Sequence, residues 1–259
     1  DCLTISTSGN SGIYYYIIYI KKLNTMGQFL QNQKGLVKNV FDKVYDKYDI
    51  MNDFMSLGIH RFWKRDLLNM MAPSKNKKLI DVACGTGDIG NLFLKKTNNS
   101  GNVFSTDPNK NMIEQGKKRF QNYKNIYWKI ESAEKLSFKN NFFDYYTISF
   151  GLRNTKDINK SLKEAYRVLK PGGRFLCLEF SKIENQSLNL VYKKYSKLIP
   201  YIGKFIVGES KPYNYLIESI EKFLNQDQLI DCMKESGFVN CKYRNLSGGV
   251  VAIHSGWKI

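Results

Sequence analysis

The chain has no apolar run long enough to cross a bilayer: its longest candidate, Tyr14 to Ile20, falls well short of the roughly 20 residues a spanning helix needs. Cysteine is sparse and unpatterned. Cys2, Cys84, Cys177, Cys232 and Cys241 are odd in number and contain no C-x-x-C pair, which points to reduced thiols and away from zinc; Cys84 and Cys177 are expected in buried strands. Acids are also in short supply, with 23 Asp and Glu against 40 Lys and Arg, for a net charge of +17. That excess suits an anionic partner, either nucleic acid or the face of an anionic membrane. What the chain does have is core material, 42% hydrophobic over 259 residues, enough for one α/β domain with an appendage and too little for two full domains.

One stretch stands out, Leu79 to Gly90, in which the apolar run Leu-Ile-Asp-Val-Ala-Cys leads into Gly85-Thr86-Gly87 and a helix begins near Asp88. A buried strand delivering the backbone into a glycine turn is where nucleotides sit, since glycine has no Cβ to hold a ligand away. Asp107, twenty residues past Gly87, ends the next apolar run, where its carboxylate can accept both ribose hydroxyls. Three readings are open at this point. Gly85, Gly87 and Gly90 spell the G-x-G-x-x-G of a dinucleotide site, Asp81 with the same turn spells the D-x-x-x-G-x-G of an S-adenosylmethionine site, and a bare turn without a ligand is the third.

Alternating strands and helices follow, which specifies a doubly wound parallel sheet. Asp107-Pro108-Asn109 opens a helix with Met112, Ile113 and Gly116 inward, and Tyr127 to Ile130 is a short strand ending near Ser132-Ala133. Such a strand end lies beside an adenine, where Ser132 either bonds the ring or caps a turn. Tyr145 to Phe150 is a strand that ends in Gly151-Leu152-Arg153-Asn154, and by the rule that ligands bind at the carboxyl ends of parallel strands, Arg153 and Asn154 face the crevice. A helix with Ile158, Leu162, Ala165, Tyr166 and Leu169 inward stops at Lys170-Pro171-Gly172-Gly173, and Arg174 to Phe180 is the fifth strand. Gln226 to Ser236, stopped by Gly237, is a last helix, and Cys241 to Asn245 with Val250 to His254 forms an antiparallel pair closing the sheet.

Residues 1–34 lie outside this pattern. They are rich in hydroxyl residues, with Lys21-Lys22 and one acid but no arginine, and fit either a transit-type presequence or an unstructured leader; Met26 is a possible internal start. Residues 35–73 read as lid helices, with Leu36, Val37, Val40, Phe41, Val44, Tyr45 and Tyr48 at helical spacing and Phe62, Trp63, Leu67, Met70 and Met71 on a second apolar face. Residues 74–180 are the cofactor-binding core, 181–225 an insertion and 226–259 the closing helix and strand pair. The insertion interleaves Tyr192, Tyr195, Tyr201, Phe205, Tyr213 and Tyr215 with lysines, which suits RNA stacking as well as a cap over an apolar pocket with its lysines on lipid.

Two long stretches carry a resemblance. Tyr48 to Trp63 fits Y-D-x-M-N-x-x-hydrophobic-S-x-x-x-H-x-x-W at every specified position, and Arg167 to Ser181, Arg-Val-Leu-Lys-Pro-Gly-Gly-Arg-Phe-Leu-Cys-Leu-Glu-Phe-Ser, fits a second signature as completely. Both resemble the ubiquinone and menaquinone biosynthesis C-methyltransferases, as does Ile148 to Asn154 between them. The resemblance implies the class I S-adenosylmethionine-dependent methyltransferase fold, a Rossmann-like sheet of seven strands, mostly parallel with an antiparallel last strand. It implies S-adenosylmethionine as cofactor, held by Asp81, Gly85, Thr86, Gly87, Asp107, Ser132, Ala133 and Ser149. Relatives often carry Asn-Ala where this chain has Ser132-Ala133, which weakens one expected side-chain contact.

The implied reaction is C-methylation of a polyprenylated quinol. Ring carbon is a weak nucleophile until a neighbouring hydroxyl loses its proton, so the site should favour a phenolate. Arg153 is too basic to take that proton and is assigned to stabilising the phenolate or polarising a water, with Asn154 orienting the same group. His60 and Tyr48 are secondary catalytic candidates, and no metal is expected. Trp63 is read as packing, Glu179 as a strand anchor or pocket wall and His254 as structural. The implied partners are the quinol, an anionic membrane surface, a homodimer and a quinone-synthesis complex, located at the matrix face of the mitochondrial inner membrane, or in a bacterial cytoplasm if translation begins at Met26. A naphthoquinol substrate, an RNA methyltransferase and a non-catalytic scaffold are the alternatives. No N-P-P-Y-type amine site or catalytic cysteine motif favours nucleic acid.

Overall fold

The computed structural model of the chain describes residues 56, 58–183, 190, 192 and 211–259. The leader, the helix expected from Leu36, Tyr48 and most of the insertion lie outside them. The described elements run α1 (His60–Met71), β1 (Lys78–Val82), α2 (Asp88–Lys96), β2 (Asn102–Thr106), α3 (Lys110–Arg119), β3 (Ile126–Lys129) and β4 (Phe143–Ser149). A 3₁₀ turn (Leu152–Asn154) leads to α4 (Ile158–Val168), β5 (Leu169–Phe180), α5 (Lys211–Lys222), α6 (Gln226–Glu235), β6 (Val239–Leu246), a second 3₁₀ turn (Ser247–Gly249) and β7 (Val251–Trp257).

The seven strands form one sheet in the order β3-β2-β1-β4-β5-β7-β6. The first five pair in parallel, while β7 runs antiparallel to both β5 and β6. This is the class I methyltransferase topology expected from sequence. Strand order reverses between β1 and β4, and the loops at their carboxyl ends diverge there into a crevice. Their burial explains their composition: β1 and β4 carry Leu79, Ile80, Val82, Phe143, Tyr146 and Ile148 almost wholly away from water, as strands covered on both faces require.

Most helix boundaries follow their local chemistry. Asn109 caps α3 through its side chain, which accepts from the backbone of Asn111 and Met112, and the inward face is Met112, Ile113 and Gly116 as read from sequence. Asn225 and Gln228 form a reciprocal capping box on α6. Gly90, which completes the dinucleotide-like spelling, lies against Val103: a Cβ there would stand 2.8 Å from a Val103 methyl, so its role is close helix-to-sheet packing.

Three expectations need correction. Phe62 is 60% exposed with the Arg65 guanidinium over its ring, because the buried face of α1 is His60, Trp63, Lys64, Leu67, Leu68 and Met71 at a spacing that skips position 62. Strand β5 begins at Leu169, where the sequence suggests a helix end, because Leu169 pairs with Phe143 and Gly172 and Gly173 bond across to Lys258. Cys84 sits half-buried in the turn after β1, whereas Cys177 is inside β5 as expected. Leu169 is thus a strand residue instead of the last inward position of α4.

Trp128 on β3 fixes the back of the glycine turn. A Cβ on Gly87 or on Gly116 would lie 2.5 Å from its ring, and Gly87 also takes φ +91°, so both glycines are sterically required. Gly116→Ala should lower stability by about 1–3 kcal/mol through overpacking, with part of the loss restored when Trp128→Leu is added. Urea unfolding of the two variants checks this; an unchanged midpoint for Gly116→Ala would refute the wedge.

Candidate active site

A crevice lies between the ends of β1 and β4 and opens to solvent. Its walls are Asp81 and the turn Ala83-Cys84-Gly85-Thr86 from β1, Asp88 and Ile89 from α2, Ser149 and Phe150 from β4, and Lys64 reaching over from α1. The turns need unusual backbone. Ala83 and Phe150 hold positive φ, +51° and +56°, and Gly151 is so close to the Ala83 methyl that a Cβ there would collide with it. Non-glycine residues in that region are strained, and such strain gathers at functional sites.

Within the crevice, Asp81 is 1% exposed. Its Oδ1 accepts from the Thr147 hydroxyl at 2.8 Å, while Oδ2 is buried without a hydrogen-bond partner. Burial pushes its proton affinity up to about 7, against the pull of Thr147 and Lys64. Asp107, at the end of β2, accepts from the Gly85 N–H at 2.9 Å and from the Asn109 N–H at 2.8 Å, and burial raises it to about 6 despite those two bonds. Each Asp107 oxygen keeps a second lone pair for a hydroxyl.

A charge cluster borders the turn. Asp88, in the first turn of α2, is bracketed by Lys64 at 2.7 Å and Arg119 at 2.8 Å, and Arg119 also donates to the Thr86 hydroxyl at 3.0 Å. Although burial raises Asp88, the two cations outweigh it and hold the carboxyl below its usual range. Its place at a helix N-terminus adds to that preference for the ionised form.

Beyond Phe150 the 3₁₀ turn places the Arg153 guanidinium, 5% exposed, in an ion pair of 2.5 Å with Glu179 of β5, itself 1% exposed. Arg153 also donates to the Phe150 carbonyl at 2.7 Å, and Glu179 accepts from the Arg153 and Phe180 backbone N–H groups at 3.3 and 2.9 Å. The Asn154 amide receives the Tyr215 hydroxyl on Oδ1 at 3.0 Å and sets its Nδ2 toward the Phe150 carbonyl at 3.5 Å.

Of the residues expected to hold a cofactor, Asp81, Gly85, Thr86 and Ser149 share the crevice, and Asp107 joins through Gly85. Gly87 caps α2 from behind. Ser132 and Ala133 do not line this part of the crevice: Ser132 forms a small bridge with Lys135 and Ala133 packs into the core. Among the catalytic candidates, Arg153 and Asn154 both donate to the carbonyl of Phe150, a crevice-wall residue, His60 is buried at the start of α1 with its backbone N–H on Ser56, and Tyr48 is outside the described residues. Trp63 packs on Phe150 and Phe180 and donates to Ser247, Glu179 anchors the Arg153 turn, and His254 is a buried structural residue bonded to the Gln226 carbonyl, with burial lowering it to about 4.

Sequence reasoning missed Lys64 and Arg119, and it reads Tyr215 only as one of the insertion's aromatics, without its bond to Asn154. A signal existed for Lys64, since a lysine at the fourth position after His60 falls on the apolar face of its helix. The pairing of Arg119 with Asp88 has no local signature.

The chain matches the ubiE/COQ5 methyltransferase family over residues 28–258. It belongs to that family. It is 49% identical over 234 residues to the ubiquinone/menaquinone biosynthesis C-methyltransferase UbiE of Rickettsia akari (strain Hartford), covering 88% of this chain and 94% of that protein. The same protein of Rickettsia prowazekii (strain Madrid E) is 50% identical over 237 residues, with the same coverage. Among solved structures, a possible histamine N-methyltransferase from Thermotoga maritima overlays with a TM-score of 0.62 at 19% identity, over 86% of this chain and 99% of that one. A phosphoethanolamine N-methyltransferase of Haemonchus contortus in complex with S-adenosyl-L-methionine gives 0.57 at 16% identity, over 76% of this chain and 52% of that one. Those two establish the fold. As a member of the family, the chain is an S-adenosylmethionine-dependent C-methyltransferase.

The residues present fit that cofactor. Asp81 Oδ2 and Ser149 Oγ are buried polar atoms without protein partners on the crevice wall, and a carboxylate-lined cleft matches a cationic ligand that also carries hydroxyls. A carboxyl with a folded value near 7 and an unfolded one of 3.8 favours the fold below about pH 4 and loses that contribution as pH rises through 7. Wild type should therefore lose ground to Asp81→Asn across that window, by at most about 4 kcal/mol. Unfolding curves of the two proteins at pH 4.5 and pH 8 measure the gap, and a pH-independent gap refutes the assignment.

Proposed function

We propose that the protein methylates a ring carbon of a polyprenylated benzoquinol in ubiquinone biosynthesis. The observation that carries the reading is the juxtaposition of the Asp81–Ser149 crevice with the Arg153–Asn154 turn, joined through Phe150, which lines the crevice and whose carbonyl accepts from both residues. When bound, S-adenosylmethionine supplies an electrophilic methyl group on a positively charged sulfur. Asp81, Thr86, Asp107 and Ser149 hold it, with the adenine side assigned to Ser132 and Ala133. The names of the Rickettsia relatives support a quinone ring as acceptor and cover both ubiquinone and menaquinone, so a demethylnaphthoquinol is the second substrate to test.

In this reading Arg153 and Asn154 act on the phenolate. Donors preorganised around a developing oxyanion are strongest where water is excluded, and the guanidinium is nearly buried. Glu179 tempers its charge, so Arg153 acts chiefly by direction and by holding the Phe150 carbonyl, while the Asn154 amide supplies a neutral donor. Holding the reacting centres in line can contribute roughly 7–11 kcal/mol in favourable cases. The basic composition supports docking on an anionic membrane, where a polyprenyl tail resides, and the location proposed with it is the matrix face of the mitochondrial inner membrane. Among the described residues no helix is long and apolar enough to cross a membrane.

The test is purified protein with labelled S-adenosylmethionine and short-chain demethyl benzoquinol, demethylnaphthoquinol or RNA. Label should enter a quinol; transfer to RNA with none to either quinol would overturn the reading. Glu179→Gln should move the acid limb of the kcat profile to lower pH, because an uncompensated Arg153 favours the phenolate, while costing about 3–5 kcal/mol in stability. An unshifted limb in the folded variant removes Arg153's charge from the chemistry. Binding to anionic liposomes should fall steeply as salt is raised; salt-independent binding would count against the electrostatic docking.

A further inference from the structure

Helix α5, in the last part of the insertion, sends two side chains to one place. Tyr215 and Ser219 are one helical turn apart and so share a face. The Tyr215 hydroxyl donates to Asn154 Oδ1 at 3.0 Å, and Ser219 Oγ accepts from Arg153 Nε at 3.4 Å while donating to the Leu216 carbonyl at 2.8 Å. Both members of the proposed phenolate-binding pair are therefore touched by the same helix. Tyr215 is buried along with Leu216 and Ile220, so the contact is sheltered from water, and burial raises the phenol above its ordinary range, which keeps it a neutral donor at physiological pH.

The bond has a chemical consequence. An amide has an accepting end and a donating end, and a phenolate oxygen only accepts. If Asn154 turned over, its carbonyl would face the anion and repel it. We propose that Tyr215 is a positioning residue: by occupying Asn154 Oδ1 it fixes the amide with Nδ2 as the end offered to the substrate's phenolate oxygen. The Phe150 carbonyl, which accepts from Nδ2 at 3.5 Å and from Arg153 Nη1 at 2.7 Å, enforces the same orientation from the other side. This inference rests on the quinol reading above. It adds that the last helix of the insertion sets the geometry of the catalytic turn.

The test is Tyr215→Phe in the full chain, which keeps the ring and removes the hydroxyl. Its kcat on the demethyl quinol should fall about tenfold, the rate equivalent of one neutral hydrogen bond, with quinol KM and cofactor affinity unchanged. In an Asn154→Ala background the same change should cost less than twofold, because the two residues act as one unit. A second readout needs no substrate: in protein labelled with ¹⁵N-asparagine, the Asn154 side-chain amide signal, assigned by its loss in Asn154→Ala, should shift in Tyr215→Phe. Wild-type kcat in Tyr215→Phe, a tenfold loss repeated in the Asn154→Ala background, or an unmoved amide signal would each overturn the proposal. A wild-type protein that turns over no quinol refutes the quinol reading instead, and the amide signal still decides whether Tyr215 holds Asn154.

Discussion

A buried guanidinium is tolerable only beside a countercharge, and the pairing of Arg153 with Glu179 is the constraint on which the catalytic end of this molecule depends. Glu179 is almost the last residue of β5, so the pair ties the turn after β4 to the neighbouring strand. The Phe150 carbonyl, turned inward by a positive φ, becomes a shared acceptor for Arg153 and Asn154. From that point the connections spread: the Phe150 ring packs on Trp63 of α1, and Trp63 reaches Ser247 before β7. Removing either charge leaves its partner stranded in a place water cannot reach.

The cofactor half is organised differently, by backbone and isolated acids more than by ion pairs. Asp107 braces the glycine turn through the Gly85 N–H, and Asp81 is bonded on one oxygen only. An unpartnered buried oxygen destabilises a fold unless something else makes use of it. A cleft that keeps such an atom on its wall gives up stability for affinity, which is the usual relation between a binding site and the scaffold beneath it.

Much of this was legible in the chain. Seven strands, the closing antiparallel pair and the carboxyl-end location of Asp81, Ser149 and Arg153 follow from periodicity and glycine placement, because those patterns reflect strictly local rules. The boundary near Leu169 was misread because Pro171-Gly172-Gly173 carries strong turn chemistry, and pairing with the distant Lys258 overrides it. Phe62 was misread because residues 62 and 63 are both aromatic and only one can face inward. Contacts such as Lys64 with Asp88, Arg153 with Glu179 and Tyr215 with Asn154 join residues 24, 26 and 61 positions apart, and no local pattern encodes them.

The Trp128 wedge makes the crevice mechanically lopsided. Behind the glycine turn an indole ring leaves no room for even a methyl group at Gly87 or Gly116, so that wall is the fixed jaw. On the opposite side Lys64 of α1 bridges to Asp88 at 2.7 Å, and Trp63 of the same helix packs on Phe150. One wall is thus set by steric exclusion and the other by an ion pair and ring packing, so the two tolerate substitution differently: size decides at Gly87 and Gly116, charge at Lys64 and Asp88.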